Sequence, residues 1–325
     1  MIKKLQFYIS DTHNPYLNLA KEEFLFDTVD KETLILYLWQ NKNTVVLGKN
    51  QNAFLECRTE LLKAEGGVLA RRLSGGGAVF HDLGNLNFTF ICATENLDVS
   101  KHMLLIKRAC ASAGIEAELS GRNDILANGR KFSGNAFYNS KGRSYHHGTL
   151  LINADMEKLS RYLTPPKAKL ESKGIKSVKS RVINLSALCP SLSCEDMKTH
   201  LLSAFEDVYG LTVEAFGELD EERLAELSRR YESWEHLYGT PLPFNVVCEG
   251  RLSFGSVLFQ ICVKNGIVTA LNFYTDALDS ELSDTVKRAL SSLPFEPSSI
   301  RQALTEVLPE PQAREIAELF EEQIF

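Results

Sequence analysis

Three consecutive glycines, Gly75–Gly77, interrupt the run RRLSGGGAVFHD (Arg71–Asp82) between two strand-like segments. Such a run extends neither a helix nor a strand without loss, because each glycine adds backbone entropy and offers no side chain to pack. What glycine does allow is φ > 0 and a close approach of the main chain to a bound group. A second short motif, GRKFSGNA (Gly129–Ala136), follows further along the chain. Arg71 and Arg72 before the glycines, and Lys131 in the second motif, supply cations suited to a phosphate. The two motifs together predict a site for an activated phosphate compound.

The glycine run matches neither of the common phosphate loops. A P-loop needs Lys-Ser or Lys-Thr directly after its last glycine, and a dinucleotide fingerprint opens a helix, whereas here AVFHDLGNLNFTF continues as turn and strand. Two readings stay open, a tight hairpin turn and a ligand-cradling loop. The flanking Arg71-Arg72 and His81-Asp82 favour the ligand.

Composition narrows the setting. With 325 residues, 44% of them hydrophobic, the chain can bury a full core, and its length suggests two domains, divided here as 1–244 and 245–325. A net charge of −6 and a pI near 5.7 argue against a nucleic-acid coat or a membrane-surface protein. The N-terminal MIKKLQFYISD lacks the apolar core of a signal peptide, and no segment has the apolar length of a membrane span. A cytosolic protein is expected, with no nucleic-acid or membrane partner. None of the seven cysteines stands in a CxxC pair, and Cys92 and Cys262 lie inside apolar runs, so a structural zinc site is not expected.

Periodicity predicts helices over Asn18–Asp30, His102–Ala113, Glu195–Tyr209 and Glu218–Glu232. Strands are predicted at Gly67–Arg72, Asn87–Ala93, and in IEAELS, DILA, RKFSGNAFY and YHHGTLLIN, the last four joined as hairpins. Thr33–Gln40 and Asn43–Asn50 read as one further hairpin. After the Pro- and Gly-containing stretch Trp234–Asn245, strands at Asn245–Glu249, Val257–Lys264 and Ile267–Tyr274 form a meander with an Asn265-Gly266 turn. Helices over Ser280–Ser292, Pro297–Leu308 and Pro311–Gln323 close the chain.

Among charged residues, Lys131 is the strongest candidate for chemistry. Small neighbours, Ser133, Gly134 and Ala136, leave room beside it for a bound group, and a lysine there places a compact positive charge on a phosphate oxygen. His146 and His147 are adjacent on a strand, so they face opposite ways, one toward the site and the other toward solvent. His81 is either a structural hydrogen-bonding residue or a ligand contact. The basic stretch Lys167–Leu185 is either a solvated loop or a segment that folds over an anionic ligand.

RRLSGGGAVFHDLGNLNFTF, GRNDI, GRKFSGNAFY, HHGTLLIN and KGIKSVKSRVINL, in this order, closely resemble the lipoate protein ligase A family. The resemblance covers nearly the whole chain. It implies an α+β fold: a catalytic domain like those of class II aminoacyl-tRNA synthetases and biotin ligases, with mixed, largely antiparallel sheets, and a small α/β C-terminal domain. It also implies that ATP and Mg²⁺ convert lipoate to lipoyl adenylate. The acyl group then passes to a lysine of a lipoyl domain in a 2-oxoacid dehydrogenase or of the glycine cleavage H protein.

By motif position the resemblance places ATP or the adenylate at Arg72, Gly75, Gly76, Gly77, Ala78, Val79, Phe80, Asn123, Asp124, Lys131 and Thr149. Lipoate falls to Asn18, Glu22, Trp39, Arg72, Gly77, His81 and Lys131, with Lys131 the catalytic residue. No metal ligands are assigned, and a monomer is expected. Two rival readings are an ATP-independent octanoyl or lipoyl transferase, which needs a reactive cysteine beside the pocket, and a non-catalytic lipoyl-domain-binding protein.

Overall fold

The computed structural model describes residues 1–120, 124–164, 182–239 and 242–325. Strand β1 (Lys4–Ile9) leads into helix α1 (Pro15–Thr28), which begins earlier than its apolar pattern suggests. The turn-like Asn14-Pro15 is the reason. The Asn14 side chain accepts from the amides of Tyr16 and Leu17, and Pro15 occupies the first helical turn, so the pair is a helix cap.

The expected hairpin between Thr33 and Asn50 does not form. Strand β2 (Thr33–Trp39) lies parallel to β1, while β3 (Thr44–Leu47) leaves for another sheet. Every residue of both strands is buried, a state that two strands joined by a short turn cannot supply for themselves. Between them Asn43 takes φ 46°, and Asn18 Nδ2 donates to Gln40 O and Asn41 Oδ1, each at 2.9 Å, which fixes the exit direction.

Helices α2 (Ala53–Glu56) and α3 (Thr59–Ala64) then lead to β4 (Val68–Arg71), the glycine run, β5 (Val79–His81) and β6 (Asn85–Ala93). Strands β4, β3 and β5 make a small sheet in that order. Helix α4 (Val99–Ser112) precedes β7 (Glu118–Ser120), β8 (Asp124–Ala127), β9 (Arg130–Ser140) and β10 (Arg143–Leu151), which pair as successive hairpins as expected. After α5 (Met156–Tyr162) come α6 (Cys194–Tyr209), closed by Gly210 at φ 67°, then β11 (Val213–Ala215), α7 (Glu221–Glu232) and α8 (Trp234–Tyr238). The basic stretch that starts at Lys167 lies outside the described residues as far as Arg181.

The main sheet has the order β11-β1-β2-β6-β10-β9-β8-β7, parallel only where β1 meets β11 and β2. Strand alternation sorts its two faces. Leu36, Leu86, Phe88 and Phe90 pack with Leu105, Ile106 and Ala109 of α4 and Leu201 and Phe205 of α6. On the opposite face Tyr37, Trp39, Ile91 and Tyr145 meet Leu19 and Phe26 of α1 and Leu224 and Leu227 of α7.

Strands β12 (Val246–Leu252), β13 (Gly255–Lys264) and β14 (Ile267–Thr275) form a separate antiparallel sheet. Its hairpin turns at Asn265 (φ 52°) and Gly266 (φ 74°), the signature of a type I′ turn. Helices α9 (Leu282–Leu290), α10 (Pro297–Val307) and α11 (Glu310–Gln323) cover it around Phe259, Phe273 and Phe320. This C-terminal domain thus has its own core. Among the described residues no helix is long and apolar enough to cross a membrane.

Candidate active site

The glycine run follows β4 behind two adjacent arginines with opposite fates. Arg71 is not available to a phosphate. Its Nε donates to His236 O (2.9 Å), its Nη1 to Gly48 O (2.9 Å), Lys49 O (3.0 Å) and Gln51 O (2.7 Å), and its Nη2 to Leu237 O (2.5 Å). A guanidinium surrounded by main-chain carbonyls is a structural clamp, and it ties α8 to the chain after β3.

Arg72, facing the other way, shapes the glycine loop itself. Its Nη2 donates to Gly75 O at 2.7 Å and Gly77 O at 2.9 Å, its Nη1 to Val46 O at 3.2 Å, and its Nε to Ser74 Oγ at 3.0 Å. Burial lowers its pKa to about 10, which still leaves the group charged at neutral pH. Gly76 takes φ 90°, as a glycine can. At Gly75 a Cβ would lie 2.4 Å from Ala277 O and 2.5 Å from Leu278 O, so the C-terminal domain rests directly on the loop. The loop's later residues divide: Val79 and Phe80 pair with Val46 and Val45 of β3, and the Phe80 ring turns into the core against Tyr162.

Ser74 opens a buried line of polar groups. Ser74 Oγ lies 2.7 Å from His147 Nε2, and His147 Nδ1 lies 2.9 Å from Glu22 Oε1. The same carboxylate oxygen accepts from Thr89 Oγ1 at 2.7 Å, and Thr89 Oγ1 accepts from Trp39 Nε1 at 3.1 Å. Trp39 stacks on Tyr37 and meets His81 edge-on. The His81 pKa is pushed down to about 3, first by burial and then by Arg72 and His147, so the ring is neutral. Its Nδ1 lies 3.2 Å from Asn41 Nδ2, while its buried Nε2 has no hydrogen-bond partner among the described residues. Asn18 borders this line through Tyr37, whose hydroxyl donates to its Oδ1 at 3.2 Å, while its Nδ2 donates to Thr12, Gln40 and Asn41.

His146 corrects the expectation that one of the paired histidines meets solvent. It does face away from His147, but α4 covers that face of the sheet, and His146 is fully buried with its Nδ1 3.3 Å from His102 Nδ1. Burial lowers both pKa values, that of His102 to about 3.

Strand β10 carries the site onward. His147 and Thr149 project from the same side, two residues apart, and Thr149 Oγ1 accepts the Gly134 amide at 3.3 Å. Lys131 Nζ pairs with Asp124 Oδ1 at 2.6 Å, both side chains partly shielded from solvent. A Cβ on Gly134 would come within 2.9 Å of Lys131 Nζ, so this glycine keeps space beside the ammonium, while a Cβ on Gly148 would strike Phe88 and Asn135 on the other face of the sheet. Asn123 lies outside the described residues.

The catalytic-domain model "Lipoyl protein ligase A/B catalytic domain" matches residues 14–206. The chain belongs to this family. The C-terminal domain matches "Bacterial lipoate protein ligase C-terminus" over residues 242–320. Lipoate-protein ligase A of Bdellovibrio bacteriovorus is 39% identical over 315 residues, covering 94% of this chain and 93% of the relative. The crystal structure of P. falciparum LipL1 with lipoate aligns with a TM-score of 0.85 and 30% identity over 98% of this chain and 100% of that one. A lipoate-protein ligase A bound with ATP aligns with a TM-score of 0.59 and 25% identity, covering 74% and 99% of the two chains. The protein is a lipoate protein ligase of the α+β class.

Reasoning from sequence missed Ser74 and Thr89 in this ligase. A signal existed for Thr89: in NLNFTF, Asn87 and Thr89 alternate with Phe88 and Phe90 on a wholly buried strand, so a polar stripe inside the protein was already written there.

Proposed function

We propose that this ligase joins lipoate to ATP as an acyl adenylate and passes the lipoyl group to a lysine of a lipoyl domain or of an H protein. The observation that carries the reading is the Lys131–Asp124 pair beside Gly134 of β9, whose amide donates to Thr149, two residues along β10 from His147 of the buried polar line. An apolar and aromatic wall for an acyl chain thereby meets a cation suited to a phosphate.

The chemistry requires such a cation. A carboxylate attacking the α-phosphorus of ATP approaches a like-charged group, and pyrophosphate leaves with further negative charge. Lys131 offsets both charges as they develop. In the second step the acceptor amine, deprotonated, attacks the mixed anhydride, and Lys131 holds the departing AMP. Arg72 fixes the glycine loop, and Trp39 and His81 bound the acyl pocket, His81 offering its unpartnered nitrogen.

Magnesium fits this site only as an ion carried by the nucleotide. Among the described residues no cluster of three or more His, Cys, Asp or Glu side chains forms a metal cage, but Asp124 places a hard carboxylate beside the Lys131 ammonium. Asp124 would hold the ion there, and the ion would supply charge neutralisation on the phosphates.

The ATP-independent transferase reading needs a thiolate. Burial pushes the thiols of Cys57, Cys92 and Cys110 up to about 12 and those of Cys194 and Cys248 up to about 11, which keeps them protonated. Lipoate-dependent exchange between ATP and labelled pyrophosphate tests the ligase reading. Mass spectrometry of apo lipoyl domains and H protein, incubated with the ligase, ATP, Mg²⁺ and lipoate, tests acceptor choice. Acyl transfer without exchange would replace this reading by the transferase.

A further inference from the structure

Ser74, His147 and Glu22 have the spacing of a nucleophile, a base and its orienting carboxylate, yet the surroundings turn that spacing to another use. Ser74 is wholly buried, and its oxygen already accepts from Arg72 Nε at 3.0 Å. A nucleophile needs an exposed lone pair and an open line to a carbonyl carbon. Ser74 has neither.

Two ends of the line are fixed, Arg72 as a donor and Glu22 as an acceptor. Glu22 Oε1 can only accept, so Thr89 O–H and His147 Nδ1–H both donate to it. With its proton on Nδ1 alone, the ring accepts at Nε2 from Ser74 O–H, and Ser74 in turn accepts from Arg72 Nε–H. At the far end Arg72 donates to Gly75 O and Gly77 O.

We propose that His147 and Ser74 are positioning residues, a one-way hydrogen-bond relay through which Glu22 on α1 sets the orientation of Arg72 and hence the shape of the glycine loop. The relay builds on the reading of this loop as the place where the acyl acid meets the nucleotide. It gives a buried histidine and serine a use in an otherwise aromatic region: the pair converts one fixed carboxylate into a fixed guanidinium plane. Since the loop must hold its form while charge develops, the relay acts on the rate of adenylate formation more than on lipoate binding.

Two measurements test the proposal. In ¹⁵N NMR of the intact protein at neutral pH, His147 is expected as the Nδ1–H tautomer with Nε2 bare and hydrogen-bonded; an Nε2–H ring overturns the relay whatever the activity. In pyrophosphate exchange, Ser74→Ala is expected to lower kcat by about 10- to 100-fold with KM for lipoate within about 3-fold, and Ser74→Thr, which keeps the hydroxyl, to recover most of the rate. A wild-type kcat in Ser74→Ala, or a loss confined to KM for lipoate, overturns it. So does hydrolysis of an activated octanoyl ester without ATP that Ser74→Ala abolishes, because Ser74 would then be a nucleophile. A parent protein with the expected tautomer but no lipoate-dependent exchange would count against the adenylate reading and leave the relay standing.

Discussion

Gly76 donates its amide to Ala277 O at 2.8 Å, a main-chain bond between the glycine loop and the C-terminal domain. The contact is broader than one bond. Asn50 accepts the Thr275 amide at 2.9 Å and donates to Ser280 O at 3.0 Å, and Lys49 pairs with Glu281 and Asp284 at 2.8 and 3.2 Å. The loop shaped from below by Arg72 is therefore also held from above, and both sides use main-chain groups that tolerate little change.

That arrangement makes Gly75 a position where one methyl group bears directly on the contact between the loop and the C-terminal domain. In Gly75→Ala the new Cβ would meet two main-chain oxygens, neither of which can swing aside as a side chain does. The C-terminal domain must then lift or the loop must bend, at a cost of about 1–3 kcal/mol. Hydrogen exchange at Gly76 and Thr275 is expected to accelerate, and the rate of pyrophosphate exchange to fall. Gly217→Ala, in open space with no neighbour within 4 Å, serves as control. Unchanged protection at Gly76 in the Gly75 variant would show that the contact is not maintained in solution.

Lys131→Ala should lower kcat by about 10²- to 10³-fold, the effect of removing one preorganised charge donor at a developing anion. Lys131→Arg should recover little, because a planar fork does not fit beside Gly134, where the ammonium already sits within 2.9 Å of a would-be Cβ. Single-turnover formation of the adenylate is the measurement. An alanine variant as fast as its parent would remove Lys131 from the chemistry.

Local patterns proved legible and long-range ones did not. The Asn265-Gly266 turn, the glycine that closes α6 and the successive hairpins from β7 to β10 are each written within a few residues. Arg71 and Arg72, by contrast, look alike in sequence, and both were expected near a phosphate. Strand alternation sends one toward carbonyls of His236 and Leu237, far along the chain, and the other into the glycine loop. No local signal distinguishes them. The same holds for β2 and β3, whose apolar runs suggest partners but not which ones.

The difference between the two arginines is measurable. Arg71→Lys keeps the charge but offers one point of donation where a fork now serves carbonyls in three directions, so buried acceptors lose their partners. A loss of about 3–5 kcal/mol is expected in urea unfolding, with KM for ATP little changed in the folded fraction. Were Arg71 instead a phosphate ligand, its substitution would raise KM for ATP and leave unfolding nearly untouched.

Acid should destabilise this protein through its buried histidines. His81 and His102 have pKa values lowered to about 3, and His146 and His236 shift in the same direction, in each case chiefly by burial. Around His102 and His146 stand Phe90, Phe137 and Asn135; Asp98 opposes burial at His102 only weakly, and His102 and His147 push His146 further down in the same direction as burial. The unfolded chain takes up protons below its ordinary histidine pKa of 6.5, while the folded chain refuses them until far lower pH. Stability is therefore fully present above about pH 6.5 and falls as pH drops, by up to about 1.4 kcal/mol per pH unit for each histidine. Urea unfolding followed from pH 7.5 to 5.0 is expected to show this slope. His102→Phe, which keeps an aromatic ring on Phe90, should reduce the slope by close to one proton while lowering stability at pH 7.5 because His146 Nδ1 loses its partner and keeps only the Asn135 bond at Nε2. A slope identical to that of the parent would mean that His102 is already charged in the folded protein, and that the interior beneath β10 is wetter than its packing implies.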